Sequence, residues 1–172
     1  MSDQIAITPV PVRQRGVTFV ELVVILVIAG VLAAVVASRW NATGATAPYQ
    51  GELLARSIRH AQMLAMTWGQ TLALTPSASG YSVSCATGTA APCNGGGGAP
   101  VTDPATGSPF TVALAYGVTL SGAVLDLDSV GRPVSGAGAL LTAPTVYTLT
   151  AGSATWSVSV APVTGFVTVA MP

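Results

Sequence analysis

The chain has 172 residues, with six arginines, six acidic residues and no lysine, so its formal net charge is zero. Only 7% of the residues are charged. Because binding to nucleic acid needs several cations on one surface, this composition argues against a nucleic-acid partner. The length suits one exported domain attached to a membrane segment.

The first 16 residues are polar and end in a short basic stretch. Pro9 and Pro11 exclude a long helix in this part of the chain. Arg13 and Arg15 come just before an apolar run, and positive charges at that position stay in the cytoplasm when a helix enters the membrane. The bulk of the chain is therefore predicted to face the periplasm.

The next segment, residues 17–40, is predicted to be a membrane-spanning helix. From Val17 to Ala37 the one charged side chain is Glu21. At about 1.5 Å per residue, a helix of this length crosses the ~30 Å hydrocarbon core of a bilayer. A lone carboxylate in that core costs on the order of 2.5–3.5 kcal/mol, so Glu21 requires a compensating positive charge.

This segment resembles the leader of type IV prepilins, the family that includes pilins and the pseudopilins of type II secretion. The resemblance is carried by the basic stretch, by Gly16 and by the run from Val17 to Glu21. In that family, prepilin peptidase cuts after the glycine and methylates the new amino terminus. The resemblance implies a leader peptide over residues 1–16 and a cut between Gly16 and Val17, where the family usually has phenylalanine. It also implies that Glu21 pairs with the terminal amine of a neighbouring subunit during filament assembly.

Two other interpretations of the apolar segment stay open. A simple signal anchor explains the hydrophobicity but gives no role to Glu21 or Gly16. A secretory signal peptide would be cut at the small residues before Ser38 and would release a soluble periplasmic domain. All three interpretations export the rest of the chain.

Residues 41–70 are predicted to contain a break and then an amphipathic helix. Gly44 and Pro48 weaken any helix over the first eight residues. From Tyr49 to about Gln70, apolar residues recur at intervals of three and four, which is the spacing of one helix face. That stripe is Leu54, Ile58, Ala61, Ala65 and Trp68. The other side holds charged residues and two methionines, either core edge or contact surface for another subunit: Glu52, Arg56, Arg59, Met63 and Met66.

Residues 71–172 follow the period of β-strands and are predicted to form an antiparallel, half-buried β-rich head. The runs lie between Gly, Pro and Ser residues: Thr71–Thr75, Gly80–Cys85, Phe110–Tyr116, Val118–Asp128, Thr145–Ala151, Thr155–Ala161 and Phe166–Ala170. Residues 86–108 are rich in Gly, Pro, Thr and Ala and are predicted to be an exposed loop.

A membrane helix, an amphipathic helix and an antiparallel head together predict an α+β fold. This arrangement resembles the type IV pilin-like fold of the GspH/FimT-type minor pseudopilins and minor pilins. Beyond the leader, the matching pieces are residues 53–74, 125–133 and 164–170.

The two cysteines, Cys85 and Cys93, are predicted to form a disulfide in an oxidising periplasm and to hold the glycine-rich loop against the edge of the sheet. Two thiols alone are an incomplete zinc site, so no metal is expected there. The tetraglycine Gly95–Gly98 lacks the Lys and the Ser or Thr of a phosphate loop and is predicted to be a flexible loop.

Catalysis has few candidates. His60 is the one histidine and lies on the predicted amphipathic helix near two arginines, so it is predicted to be a boundary or solvated residue. No nucleophile and base can be assembled from its sequence neighbours. The chain is therefore predicted to be no enzyme and to need no cofactor.

The sequence argues against two binding functions, calcium binding and DNA binding. Asp126, Asp128 and Gly131 match the start of a calcium loop, but Val130 takes the place of an oxygen ligand and no terminal Glu follows. These residues are predicted instead to be a strand with outward Asp side chains that ends in a turn. The FimT-like minor pilins of natural transformation, which this chain resembles, carry arginines around the last glycine that suit DNA binding. No basic residue follows Gly165 here, so DNA uptake by this chain is not expected.

The predicted function is that of a minor pseudopilin or minor pilin. It would sit in the inner membrane with its head in the periplasm and assemble with other pilin or pseudopilin subunits into a type II secretion pseudopilus or a type IV pilus. The alternatives are a major pilin fibre subunit and a soluble periplasmic binding domain.

Overall fold

The computed structural model describes residues 18–39, 42–86, 91–93 and 95–170, without the side chains of residues 35–39 and 42–47. The chain divides into two compact units, one up to Trp40 and the other from Asn41 onward. The first unit contains helix α1 (Phe19–Arg39), and the second contains helix α2 (Ala42–Trp68) and the strands.

Helix α2 buries the predicted apolar stripe. Leu54, Ile58, Ala61 and Ala65 have no exposed surface, and Trp68 is partly buried at the end of the helix. The helix stops there because Gly69 adopts a φ of +63° and Gln70 N donates to Ala65 O at 3.2 Å, the capping arrangement that glycine favours. The amphipathic spacing therefore predicted both the buried face and, within two residues, its end.

The predicted break between Asn41 and Pro48 is wrong over the described residues, because α2 begins at Ala42 and runs through Pro48. Proline holds φ near the value a helix needs, and its missing N–H removes only the bond to the carbonyl of Gly44. Residues 40 and 41, between the two helices, lie outside the description.

The first sheet has five antiparallel strands: β1 (Leu72–Ser77), β2 (Gly80–Cys85), β3 (Thr111–Ala113), β5 (Leu125–Leu127) and β6 (Pro133–Val134). Their order is β3-β2-β1-β5-β6. A side chain at Gly80 would collide with the Val112 carbonyl, so glycine is needed where β2 meets β3. Strand β6 was not predicted.

The second sheet has four antiparallel strands: β4 (Thr119–Ser121), β7 (Thr145–Ala151), β8 (Ala154–Val160) and β9 (Val167–Ala170). Their order is β4-β7-β8-β9. Larger side chains of β8 alternate inward as expected, with Trp156, Val158 and Val160 buried. Helix α2 packs against strands of both sheets, and the core lies between them.

Two predicted segments differ in the structure. The expected strand Val118–Asp128 is two strands, β4 and β5, because the chain turns at Gly122, where any side chain would collide with the ring of Tyr147. The loop 86–108 is not wholly exposed, since Cys93 and Val101 are buried in the core. Single β-bridges, Ser84↔Pro100 and Thr102↔Pro109, tie this loop to the first sheet and to itself.

Candidate functional site

The predicted cleavage site, Gly16 and Val17, lies outside the described residues, which begin at Thr18. Thr18 caps the N-terminus of α1. Its Oγ1 accepts a hydrogen bond from Glu21 N at 3.3 Å, and its carbonyl accepts one from Leu22 N at 3.1 Å. Thr and Glu three residues apart have the spacing of a capping box, so the residues after the predicted cut favour a helix that begins at this point.

Glu21 is exposed in the first turn of α1. The aligned peptide dipoles make this end of the helix positive, which stabilises a carboxylate by about 0.3–1 kcal/mol. This stabilisation is several times smaller than the cost of a charged side chain within a membrane, which is about 2.5–3.5 kcal/mol. The helix end alone therefore does not compensate Glu21, and a further positive charge is required wherever α1 is removed from water.

The described side chains of α1 expose large apolar groups on all sides. Phe19 is 82% exposed, Ile25 56% and Val31 60%. Contiguous apolar surface of this kind marks contact with protein or lipid. Within the described ranges, no helix is long and apolar enough to cross a membrane.

The predicted disulfide is present in the head. Cys85, the last residue of β2, is bonded to Cys93 with their Cα atoms 5.7 Å apart. Gly98 N donates to Cys85 O at 2.7 Å, and Cys85 N donates to Ala99 O at 2.8 Å. The glycine-rich loop is therefore attached to the end of β2 by the disulfide at Cys93 and by the hydrogen bonds of Gly98 and Ala99.

His60 lies at the boundary of the head. Its Nε2 is 4.0 Å from Asp103 Oδ1, its ring centroid is 5.4 Å from that of Phe110, and its side chain is 28% exposed. Among the described residues, no hydroxyl or thiol forms a hydrogen bond with it. The arrangement connects α2 to the loop before β3 and assembles no nucleophile with a base.

Asp128 organises the turn between β5 and β6. Its Oδ1 accepts hydrogen bonds from Val130 N at 2.9 Å and Arg132 N at 2.8 Å, and its Oδ2 accepts one from Arg132 Nε at 2.9 Å. Burial acts to raise the pKa of Asp128, but the hydrogen bonds from Arg132 and Val130 and the charge of Arg132 outweigh it and lower the pKa. Gly131, with a φ of +80°, completes the predicted turn.

Asp126 lies on β5, two residues before Asp128, and has no such partners. Within the described part of the chain, its carboxylate makes no hydrogen bond or ion pair, and burial raises its pKa. In the same part of the chain, no group of three or more His, Cys, Asp or Glu side chains converges as a metal site.

Sequence reasoning did not find the contacts that join α2 to the turns. Gln62 Nε2 donates to Gly165 O at 2.7 Å and to Gly131 O at 3.2 Å. The neighbouring Met63 and Met66 are each 52% exposed, and the sulfur of Met66 lies beside Gly131. A polar residue beside an apolar stripe carries no sequence signal for such a role.

Comparison with known proteins adds two findings. Residues 12–37 match the family model described as the prokaryotic N-terminal methylation motif. The fold is similar to that of the minor pseudopilin EpsH from the type 2 secretion system of Vibrio cholerae, with a TM-score of 0.54 and 13% identity. The match covers 74% of this chain and 98% of that one. No curated protein matches the chain significantly.

The matched motif contains the predicted cleavage site, Thr18 and Glu21, and the structural match extends over most of the remaining chain. The chain therefore combines the N-terminal methylation motif of prepilin-like proteins with a helix and antiparallel-sheet head of the type IV pilin-like fold.

Proposed function

We propose that this chain is a minor pseudopilin or minor pilin of a type II secretion pseudopilus or a type IV pilus. The observation that carries the proposal is the methylation motif over residues 12–37 in a chain whose head has the pilin-like fold. In this proposal the chain is an assembly subunit and performs no catalysis.

Processing creates the partner for the carboxylate. Prepilin peptidase cuts between Gly16 and Val17, and Val17 becomes a methylated N-terminal residue that carries a positive charge. Val17 immediately precedes the capping residue Thr18 in the sequence. Within a filament, the amine of one subunit neutralises Glu21 of its neighbour, so two charges that are each costly in lipid become tolerable together.

The exposed apolar surface of α1 supports the same function. Before assembly these side chains would contact lipid in the inner membrane, with the head in the periplasm. In the filament they would pack against the corresponding helices of other pilin or pseudopilin subunits. Since membrane lipid is as apolar as a helix bundle, the hydrophobic effect does not favour one state over the other, and the Glu21 pairing supplies the difference.

The test replaces Glu21 by Ala and by Gln in the full chain, with Glu52→Ala on α2 as the matched control of an exposed carboxylate. Each variant is analysed by intact mass and N-terminal sequencing from membranes, and by its amount in sheared filaments. We expect all three variants to start at a methylated Val17. The two Glu21 variants should fall about tenfold or more in filaments, corresponding to at least ~1.4 kcal/mol of lost pairing, while Glu52→Ala remains at the wild-type amount.

Three other outcomes would contradict this proposal or change it. Normal filament yield of Glu21→Ala would contradict the assembly role of Glu21. A wild-type chain that starts at Ser38 would lack Glu21 altogether and would support the soluble periplasmic domain. Dominance of this chain in sheared fibres would identify a major rather than a minor subunit.

A further inference from the structure

The outer face of the first sheet carries a cavity of about 430 Å³ that lies on the side away from α2. Its floor is formed by β1, β2 and β5, and its walls by Gly98 and by the turn at residues 135–138. The side chains that line it are small and there is no aromatic ring among them: Thr71, Ala73, Ser84, Ala86, Asp126 and Ser135. A volume of this size accommodates a long side chain with part of its backbone.

One charged group lies in this cavity, the carboxylate of Asp126. It is half-buried, and among the described residues it accepts no hydrogen bond and forms no ion pair. Its Oδ2 faces the bare backbone of Gly136, where a Cβ would lie 3.7 Å away. A carboxylate that is partly removed from water and has no partner loses some hydration without compensation, and an external cation or donor would offset that loss.

The chain does not supply the missing cation from its described arginines near the sheets. Arg132 is paired with Asp128 at 2.8 Å, and Arg59 donates to Val167 O at 3.0 Å. The sequence contains no lysine. The described side chains therefore provide no cation that pairs with Asp126, which leaves its carboxylate open to a positive group from another molecule.

The residues that line the cavity favour some classes of ligand over others. Thr71, Ser84 and Ser135 also line the cavity, and their hydroxyl oxygens can accept hydrogen bonds from the several N–H donors of an ammonium or a guanidinium group. Ca²⁺ binds six to eight oxygens that normally include several carboxylates, and this cavity has one. An anion would be repelled, and a large apolar ligand would find no apolar side chain of comparable size.

We propose that this cavity binds the ammonium or guanidinium group of a lysine or arginine side chain presented by a protein partner. Asp126 neutralises the cation, the three hydroxyls orient it, and the open wall at Gly136 admits the side chain. The inference does not depend on filament assembly, and it assigns to the head a recognition site separate from α1.

The test uses the full-length chain, labelled with ¹⁵N, in detergent micelles. The probes are N-acetyl-lysine methylamide, N-acetyl-arginine methylamide, the neutral N-acetyl-norleucine methylamide, spermidine and calcium chloride. Amide shifts of residues 135–138 and of Asp126 report binding. We expect saturable shifts with the lysine or arginine probe, and no saturable shift with the norleucine probe.

Two variants separate charge from shape. Asp126→Asn keeps the size of the side chain and removes its charge, and Gly136→Val keeps the charge and closes the wall, at a position with no positive φ to strain. Both should weaken binding of the cationic probe by about tenfold or more, which is about 1.4 kcal/mol. Glu52→Gln, an exposed carboxylate on α2, should leave binding unchanged. Unchanged amide shifts far from the cavity verify that each variant is folded.

The proposal is overturned if neither amino-acid probe gives a saturable shift, or if Asp126→Asn binds as well as the wild type. Tighter binding of calcium at the same amides would replace it with a metal site. Binding of spermidine without binding of either amino-acid probe would identify a free polyamine instead of a protein side chain.

Discussion

Two carboxylates stand two residues apart at the end of β5, and their surroundings are opposite. Asp128 is surrounded by donors from Val130 and Arg132, which lower its pKa. Asp126 faces a cavity, finds no donor among the described residues, and has a raised pKa because it is partly buried. Residues two apart on a strand share a face, so alternation does not separate these two side chains. The difference arises because Asp126 lies within β5, whereas Asp128 follows the strand and begins the turn that supplies its donors.

The same functional group therefore has a different role at each position: it stabilises the turn at Asp128 and is unpaired in the cavity at Asp126. Burial acts to raise the pKa of both carboxylates, and the hydrogen bonds and the positive charge supplied to Asp128 distinguish them. The carboxylate of Asp128 forms an ion pair with Arg132 and stabilises the turn. Asp126 keeps its charge unpaired and costs the fold some stability.

The largest expected effect is at Asp128. Asp128→Ala removes the acceptors of three hydrogen bonds and should lower the free energy of unfolding by about 2 kcal/mol, because two backbone N–H groups lose their partner. Asp128→Asn keeps one acceptor oxygen for the turn and should cost about 1 kcal/mol. Denaturant titration of the full chain in detergent measures both, and equal losses in the two variants would show that the charge alone matters.

The pH dependence should separate the two carboxylates next. Since the pKa of Asp128 is lowered in the folded chain, its contribution is complete above the unfolded value of about 3.9 and is lost as the pH falls through the folded pKa. The difference in the free energy of unfolding between wild type and Asp128→Asn, measured between about pH 7 and pH 3, should therefore narrow towards the acidic end. A difference that stays constant with pH would contradict the ionic contribution of Asp128.

The smallest expected effect is at Asp126, with the opposite sign. Because its pKa is raised by burial, the ionised carboxylate is a penalty above the folded pKa, and this penalty disappears as the pH falls through that pKa. Asp126→Asn should therefore stabilise the chain by about 0.5 kcal/mol near neutral pH, since the half-exposed site is screened by solvent. The gain should vanish in acid, and a loss of stability in this variant would reveal a partner for Asp126 within the chain.

Sequence patterns predicted the parts of the fold that depend on neighbours along the chain. The apolar stripe of α2 and the strands Gly80–Cys85 and Thr145–Ala151 were predicted correctly. Burial repeats every three or four residues along the helix and every second residue along the strands. The turn at Gly131 and the disulfide follow from local chemistry in the same way.

The features that the sequence did not predict depend on contacts between distant residues. The turn at Gly122 is required by the ring of Tyr147, which comes from a strand 25 residues later in the chain. The burial of Val101 requires the first sheet to be in place. Likewise, Asp126 was predicted to be an outward strand residue, and its cavity exists only because the turn at 135–138 folds over the sheet.

The side-chain amide of Gln62 has a mechanical consequence. Its one nitrogen donates to the carbonyls of Gly131 and Gly165, and therefore joins α2 to a turn of each sheet. Gly165 leaves no space for a side chain against that nitrogen, so the joint is tight. A pulling force along α2 would therefore be transmitted to a turn of each sheet at the same moment, through one side chain.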